Sequence, residues 1–521
     1  METTRGLARR RQGGRRIRIT SLLLALLGSV ALLWPRTGPT EAQPTIRPPM
    51  GRAVVLPVEG GYARFRLASQ SSGQLVLIVG SLGEPGIRHQ VTLRRSPSPA
   101  DSLTSPRADT IAHTSQSRLI RPYRPPQHSA PLVFTAALSL IGFDTPVAEV
   151  RHFDIPLISQ TTPGQHDHAR VRARTIACGQ RVRVFLDDAE SLTPRLRRLA
   201  IAVIRLLETT IMPATDPTFG PPADVDGDER LSVLLTSWLG RLQKGTTAVG
   251  GFVRIDDFRT DLPRPSSNRA DLMYLNTSLN PGTHLADVVS HEYTHVLACS
   301  ARTPSPRHPA GLPLEDDWLN EAIAHLSEPG TSNISHRVAR FLEATGEYPL
   351  VVPDYYRAGL WRCDGCRGAT YLFLRWCQQD HDPMLAARLV RSPWWGIRNV
   401  EAVTGEKFSD LFRDWCVAIL SLPPASDPRG LQRPPLKDWA TDQPLTLTVA
   451  GTAVTYLRPL HPGDIVVEVK AAPGSRLQLT LANVPMVVSE TTDALPSTFV
   501  ACRKASAGVR SSTIERPYCR R

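Results

Sequence analysis

His291 and His295 stand four residues apart, with Glu292 directly after the first, in a run free of Pro and Gly, VVSHEYTHVLA (288–298). A helix carries residues i and i+4 on one face, so both imidazoles can reach a single ion. Imidazole nitrogens suit a tetrahedral zinc, and a glutamate beside them but outside the ligand set can serve as general base toward a water. The chemistry on offer is metal-assisted hydrolysis. Leu285, Val288, Val289 and Val296 remain to pack that helix. A fortuitous pairing on a buried or solvated helix is the plain alternative, and a third ligand must separate the two.

The pattern HExxHxxGxxH would need Gly at 298 and His at 301; both positions are Ala, which excludes the metzincin arrangement. A carboxylate on a second helix is the other solution. Trp318-Leu319-Asn320-Glu321-Ala322-Ile323-Ala324-His325 supplies one, with 25 residues between His295 and Glu321. Glu321 has apolar neighbours and so sits at the edge of a buried face, where an acid wants a cationic partner. A solvated first-turn acid, favoured there by the helix dipole, is the bland account of the same residue. Glu315, Asp316, Asp317, His325 and Glu328 compete for the ligand role; Asp317 also reads as a helix cap and His325 as a packed or supporting residue.

HEYTH followed by WLNEA resembles the gluzincin metallopeptidases. The order of FLDD, ADVDGDERL, VLLT, GGFVRIDD and LMYLNT around the two motifs is similar to the hyicolysin family. The likeness covers roughly residues 176–420, with Ala322 where Gly is commoner. It implies zinc held by His291, His295 and Glu321, Glu292 as catalytic base, and a secreted zinc endopeptidase acting on polypeptides through a zinc-bound water. Gluzincins commonly add a Tyr or His donor to the oxyanion. Tyr371 on a later helix is the candidate, against a core tyrosine beside Phe373; Tyr355 and Tyr356 are weaker choices. An extended substrate would pair with strand Leu231–Thr236 by strand addition. A secreted adhesive or surface-binding protein with a non-catalytic zinc domain is the alternative.

The elements that must position these residues are predicted by periodicity. Strands are expected at 181–186, 231–236 and 272–275. A helix capped by Ser191 or Thr193 should stop at Pro213, and the HExxH helix starts near Thr283. Helices follow at 317–328, 335–345, 367–380, 383–392 and 407–421. The fold class is α+β: a gluzincin-like domain at 176–423, with a small sheet, the active-site helix and a mostly helical lobe. Flanking it, sandwich-like β-rich modules are expected at 43–175 and 436–521. A Pro/Ser/Arg-rich linker at 94–131 and a Pro-rich one at 424–435 join the parts.

Residues 1–42 read as a signal peptide: a basic segment, the apolar run SLLLALLGSVALLW (21–34), and a small-x-small cleavage site ending at Ala42. An uncleaved anchor is the variant of that reading, and no later segment is apolar enough to span a membrane. The formal charge of +13 shrinks to +7 once the leader, eight Arg against two Glu, is set aside. With no nucleic-acid-binding motif, a nucleic-acid partner is excluded as the main role. A monomer is expected. Eight cysteines fit an exported, disulfide-bonded chain, with Cys363 and Cys366 in a local bridge or in two separate bridges leaving their loop, and Cys502 and Cys519 bracketing the C-terminus. The turn Asp224-Val-Asp226-Gly-Asp228-Glu229 hints at Ca2+, but it lacks the glycine at position six and the acid at position twelve of an EF-hand loop. It reads first as a plain acidic turn.

Overall fold

The computed structural model describes residues 45–68, 73–96, 117–119, 149–157, 167–241, 249–304, 311–330, 332–422 and 432–485. The expected leader, most of the 94–131 linker, and Cys502 and Cys519 lie outside these residues. The described chain is mixed α+β, with three sheets and a cluster of helices.

The first segment supplies β1 (Thr45–Ile46), β2 (Arg52–Leu56), β3 (Tyr62–Leu67), β4 (Gln74–Ser81), β5 (Arg88–Ser96) and β6 (Ser117–Leu119). A central group follows: β7 (Val150–Leu157), β8 (Asp167–Cys178), β9 (Val182–Asp187), β10 (Leu231–Thr236), β11 (Gly251–Val253) and β12 (Leu272–Asn276). The last segment gives β13 (Lys437–Ala440), β14 (Leu445–Ala450), β15 (Val454–Leu460), β16 (Ile465–Ala471) and β17 (Leu477–Val484).

First and last segments do not form two separate modules. Their strands interleave in one sandwich, with sheets ordered β1-β3-β16-β5-β14 and β13-β15-β4-β17-β2-β6. Alternation explains why. Leu75, Leu77, Val79, Leu479 and Leu481 face the sandwich interior, where they meet Phe65, Val91, Leu93 and Val467 of the other sheet. Strands of the last segment sit between strands of the first: β16 lies between β3 and β5, and β17 between β4 and β2. Ala53, Val76, Ile78, Tyr456 and Ala482 turn outward and join the core of the helical lobe instead.

The central sheet runs β11-β12-β10-β9-β8-β7, with β9, β10 and β12 parallel and β11 antiparallel at the edge. Its first two strands in sequence, β7 and β8, begin before residue 176, so this sheet reaches back into the expected N-terminal region. Val182, Val184, Val233, Leu235, Met273 and Leu275 cover one face, against α1 (Pro194–Leu206) and the later helices. Thr193 caps α1, its hydroxyl accepting from the Leu196 N–H at 3.2 Å. The helical path does not stop at Pro213. A π-turn at Leu207–Ile211 resets the hydrogen bonding, and α2 (Met212–Phe219) takes Pro213 in its first turn, where a missing N–H costs nothing.

Among the described residues seven further helices follow: α3 (Thr283–Arg302), α4 (Asp317–Leu326), α5 (Ser332–Glu343), α6 (Asp364–Asp380), α7 (Leu385–Arg391), α8 (Gly396–Thr404) and α9 (Phe408–Ile419). Of these α8 was not expected from the sequence. The lobe from α4 onward packs around Trp318, Phe341, Phe373, Phe408, Phe412 and Trp415. Cys366, Cys377 and Cys416 are buried in that core, and all six cysteines among the described residues are free thiols, so the expected bridges are not found there. Among the described residues no helix is long and apolar enough to cross a membrane.

The acidic turn brings Asp224 and Asp226 close to Asp271, but its carboxylates already have partners. Asp224 accepts the N–H groups of Gly227, Asp228 and Glu229. Asp226 and Asp228 pair with Arg151, and Asp228 also with Arg183. Arginine thus offsets the charge of Asp226 and Asp228, and backbone amides hold Asp224, so the turn has partners that do not require calcium. Burial pushes the Asp271 carboxyl from its ordinary 3.8 up to about 8, although the Val225 N–H donates to it. Between those two pH values the folded state keeps a proton that the unfolded chain has released, so stability falls as pH rises through this window. Asp271→Asn should therefore raise the melting temperature, by more at pH 8 than at pH 5. A gap that does not widen, or a wild-type melting temperature raised by added calcium, would contradict this account of the turn.

Candidate metal centre

Helix α3 buries one stripe and offers the other. Leu285, Val289, Tyr293, Val296 and Leu297 pack onto the central sheet and α1. His291 and His295 point the opposite way, toward α4. Two ties hold α4 in place along α3. At the far end, the Arg302 guanidinium pairs with Glu315 at 2.9 Å and donates to the Pro313 carbonyl. At the near end, the Thr294 hydroxyl donates to Ser327 Oγ at 2.7 Å, and the Ser327 hydroxyl lies 3.1 Å from the Ser290 carbonyl. Asp317 caps nothing: the N-cap position is Asp316, and Asp317 accepts the Tyr355 N–H at 2.8 Å.

With α4 so placed, Glu321 faces the two histidines. His291 Nε2 and His295 Nε2 are 3.2 Å apart. Glu321 Oε2 is 3.4 Å from His291 Nε2, and its Oε1 is 3.9 Å from His295 Nε2. A tetrahedral zinc with bonds of about 2.0–2.1 Å separates its ligand atoms by about 3.3–3.4 Å, so this donor set fits the ion with little adjustment. The electrostatics agree. Burial by itself would lower His291, but the carboxylates of Glu321 and Glu328 raise it to about 10, so the ring sits where positive charge is wanted. Burial and the neighbouring His291 lower His295 to about 4, which leaves a neutral imidazole able to ligate.

Glu321 is held well below the usual carboxylate range. Burial opposes this, and the guanidinium of Arg367 from α6, with His291 next, overcomes it. Arg367 donates to Glu321 Oε2 and, at 3.1 Å, to the Trp361 carbonyl; the Tyr355 ring faces the guanidinium at 5.7 Å. Behind His291, Glu328 Oε1 lies 2.9 Å from Nδ1, the arrangement by which a carboxylate orients a metal-binding imidazole. His325 is not among the three converging ligands. Its Nδ1 is 2.5 Å from Glu328 Oε1, and burial lowers it to about 4.

Glu292 is buried beside the ligands, and its Oε2 meets no hydrogen-bond donor. Burial raises its carboxyl to about 7, with His291 opposing and Glu321 reinforcing. Gly251 on β11 packs closely against Glu292: a Cβ there would lie 2.9 Å from Glu292 Cγ, Leu275 Cδ2 and the Tyr274 carbonyl oxygen. The strand thus passes directly over Glu292. By contrast β10, expected to pair with substrate, lies inside the sheet between β9 and β12 and has no free edge. Tyr371 is buried in the lobe core, where burial raises the pKa of its hydroxyl, with Arg375 opposing and Glu328 of the site reinforcing. Tyr356 is exposed. Sequence reasoning missed Arg367 and Arg337, because nothing in a lone arginine on a later helix announces which carboxylate it will meet.

No family model matches this chain. A segment of 129 residues is 27% identical to the neutral metalloprotease ShpI of Staphylococcus hyicus, covering 23% of this chain and 28% of that protein. The chain therefore matches little more than a quarter of that relative's length. The likeness supports a distant relationship to a metalloprotease, and with the His and Glu cluster it points to a metal.

Breaking a buried ion pair leaves an uncompensated charge. Arg302→Ala should lower unfolding free energy by about 3 kcal/mol in urea titrations, and Arg302→Met with Glu315→Gln should recover part of the loss. Equal losses in both would show that packing, rather than the charge pair, fixes α4.

Proposed function

We propose that this chain is a zinc-dependent endopeptidase of the gluzincin type, similar to the hyicolysin family and exported through its N-terminal leader. The observation that carries the reading is the convergence of His291, His295 and Glu321 with a buried, partnerless Glu292 oxygen beside them. Held by those three side chains, zinc would supply Lewis acidity toward a carbonyl oxygen and make water acidic near neutral pH.

The remaining work belongs to the protein. Glu292 takes a proton from the attacking water and returns it to the leaving amine, a task suited to a carboxyl raised toward neutral pH. Arg367 and Glu328 keep Glu321 and His291 in place while charge develops. A polypeptide lies along the outer edge of β11, which has β12 on one side and no other strand on the other among the described residues. Strand addition there places a substrate backbone alongside the strand that Gly251 allows to pack against Glu292.

Glu292→Gln should keep its zinc while hydrolysis of denatured casein falls by about 10²–10⁴-fold. Activity within tenfold of wild type in a zinc-loaded variant would contradict the assigned base.

A further inference from the structure

Resting on the metal reading above, we propose that Arg337 on α5 is a positioning residue for the metal site. It acts through His325 and Glu328 to hold His291 in the tautomer that offers Nε2 to the ion. Arg337 Nη1 lies 2.8 Å from His325 Nε2. A guanidinium can only donate, so this nitrogen accepts, and the imidazole proton resides on Nδ1. That proton faces Glu328 Oε1 at 2.5 Å. Glu321 Oε2, 3.9 Å from the same Nε2, is too far away to claim a proton there.

The Glu328 oxygen that accepts from His325 also lies 2.9 Å from His291 Nδ1. An ionised carboxylate has no proton to give, so it accepts from both rings. His291 therefore donates through Nδ1, and the neutral ring carries its lone pair on Nε2, the atom that faces His295 and Glu321. The side chains of His325 and Glu328 are 1% and 2% exposed, so water cannot substitute for a broken link. Asp364 at the start of α6, 3.4 Å from Arg337 Nε, holds the guanidinium from behind. The half-buried guanidinium thus meets a carboxylate on one side and a ring nitrogen on the other, and the second contact sets the direction of the imidazole proton.

The test compares substitutions that keep the hydrogen bonds with ones that keep only the volume. In His325→Gln the amide can still donate to Glu328 and accept from Arg337. In His325→Phe the ring remains and both bonds are lost. Zinc dissociation constants from chelator competition and the absorption spectrum of the cobalt-substituted protein are the readouts. His325→Phe and Arg337→Met should weaken zinc binding by about 10–100-fold and alter the cobalt spectrum, while His325→Gln stays within about threefold. Should His325→Phe unfold, Arg337→Gln against Arg337→Met repeats the comparison, since the glutamine amide still donates. Phe and Met variants that bind zinc as wild type does, or a Gln variant that fails with them, overturn the proposal. Wild-type protein that binds no zinc contradicts the functional reading and this inference together. Wild-type binding matched by every variant contradicts the inference alone.

Discussion

A carboxylate largely withdrawn from bulk water constrains the rest of this molecule. The Glu321 side chain is only 18% exposed, and a charge so shielded is tolerated only beside opposite charge and donors. Its partners come from separate elements: two imidazoles from α3 and a guanidinium from α6. Three helices must therefore meet at one point. The Arg302–Glu315 pair and the Thr294–Ser327 contact bring α4 to α3 at either end, and the aromatic core of the lobe brings α6 to α4. Displacing any of these helices would strand a charge, so the electrostatics of the site and the packing of the fold select the same arrangement.

The support reaches further than the site. The central sheet fixes α3 through side chains that alternate along β9, β10 and β12, and it places β11 over Glu292. Phe252 of β11 stacks on Tyr274 of β12 at 4.3 Å, which holds the edge strand flat against its neighbour. The sandwich in turn backs the helical lobe: the Tyr456 hydroxyl donates to the Cys416 carbonyl at 2.7 Å, and Gln478 donates to the Ser409 carbonyl at 3.0 Å. It is a buttress as well as a second layer of β-structure.

Much of this was legible in sequence where the signal was local. The i, i+4 histidines, the acid on an amphipathic helix and the Thr193 cap depend on neighbours along the chain, and the structure brings them to the expected places. Errors arose where the outcome depends on distant segments. The β-rich character of 43–175 and 436–521 was visible, but it gives no indication that one segment pairs with the other. Nor does LSVLLT declare whether it is an edge or an interior strand; its apolar residues on both faces, Leu234 and Leu235 among them, are in hindsight the mark of the interior. Pro213 misled because a π-turn before it prepared a fresh helix start. Arg337 and Arg367 carry no motif, and their roles appear only when α5 and α6 are folded against α4.

The central claim is that Glu321 completes a zinc site with His291 and His295. Its most direct test is the metal content of wild-type protein and of Glu321→Ala, measured after purification and dialysis against buffer without added metal. The account requires close to one zinc per wild-type chain and a loss of most of it in the variant, with the protein still folded. A folded variant that keeps its full zinc, or wild-type protein that carries none even after exposure to zinc, would contradict it.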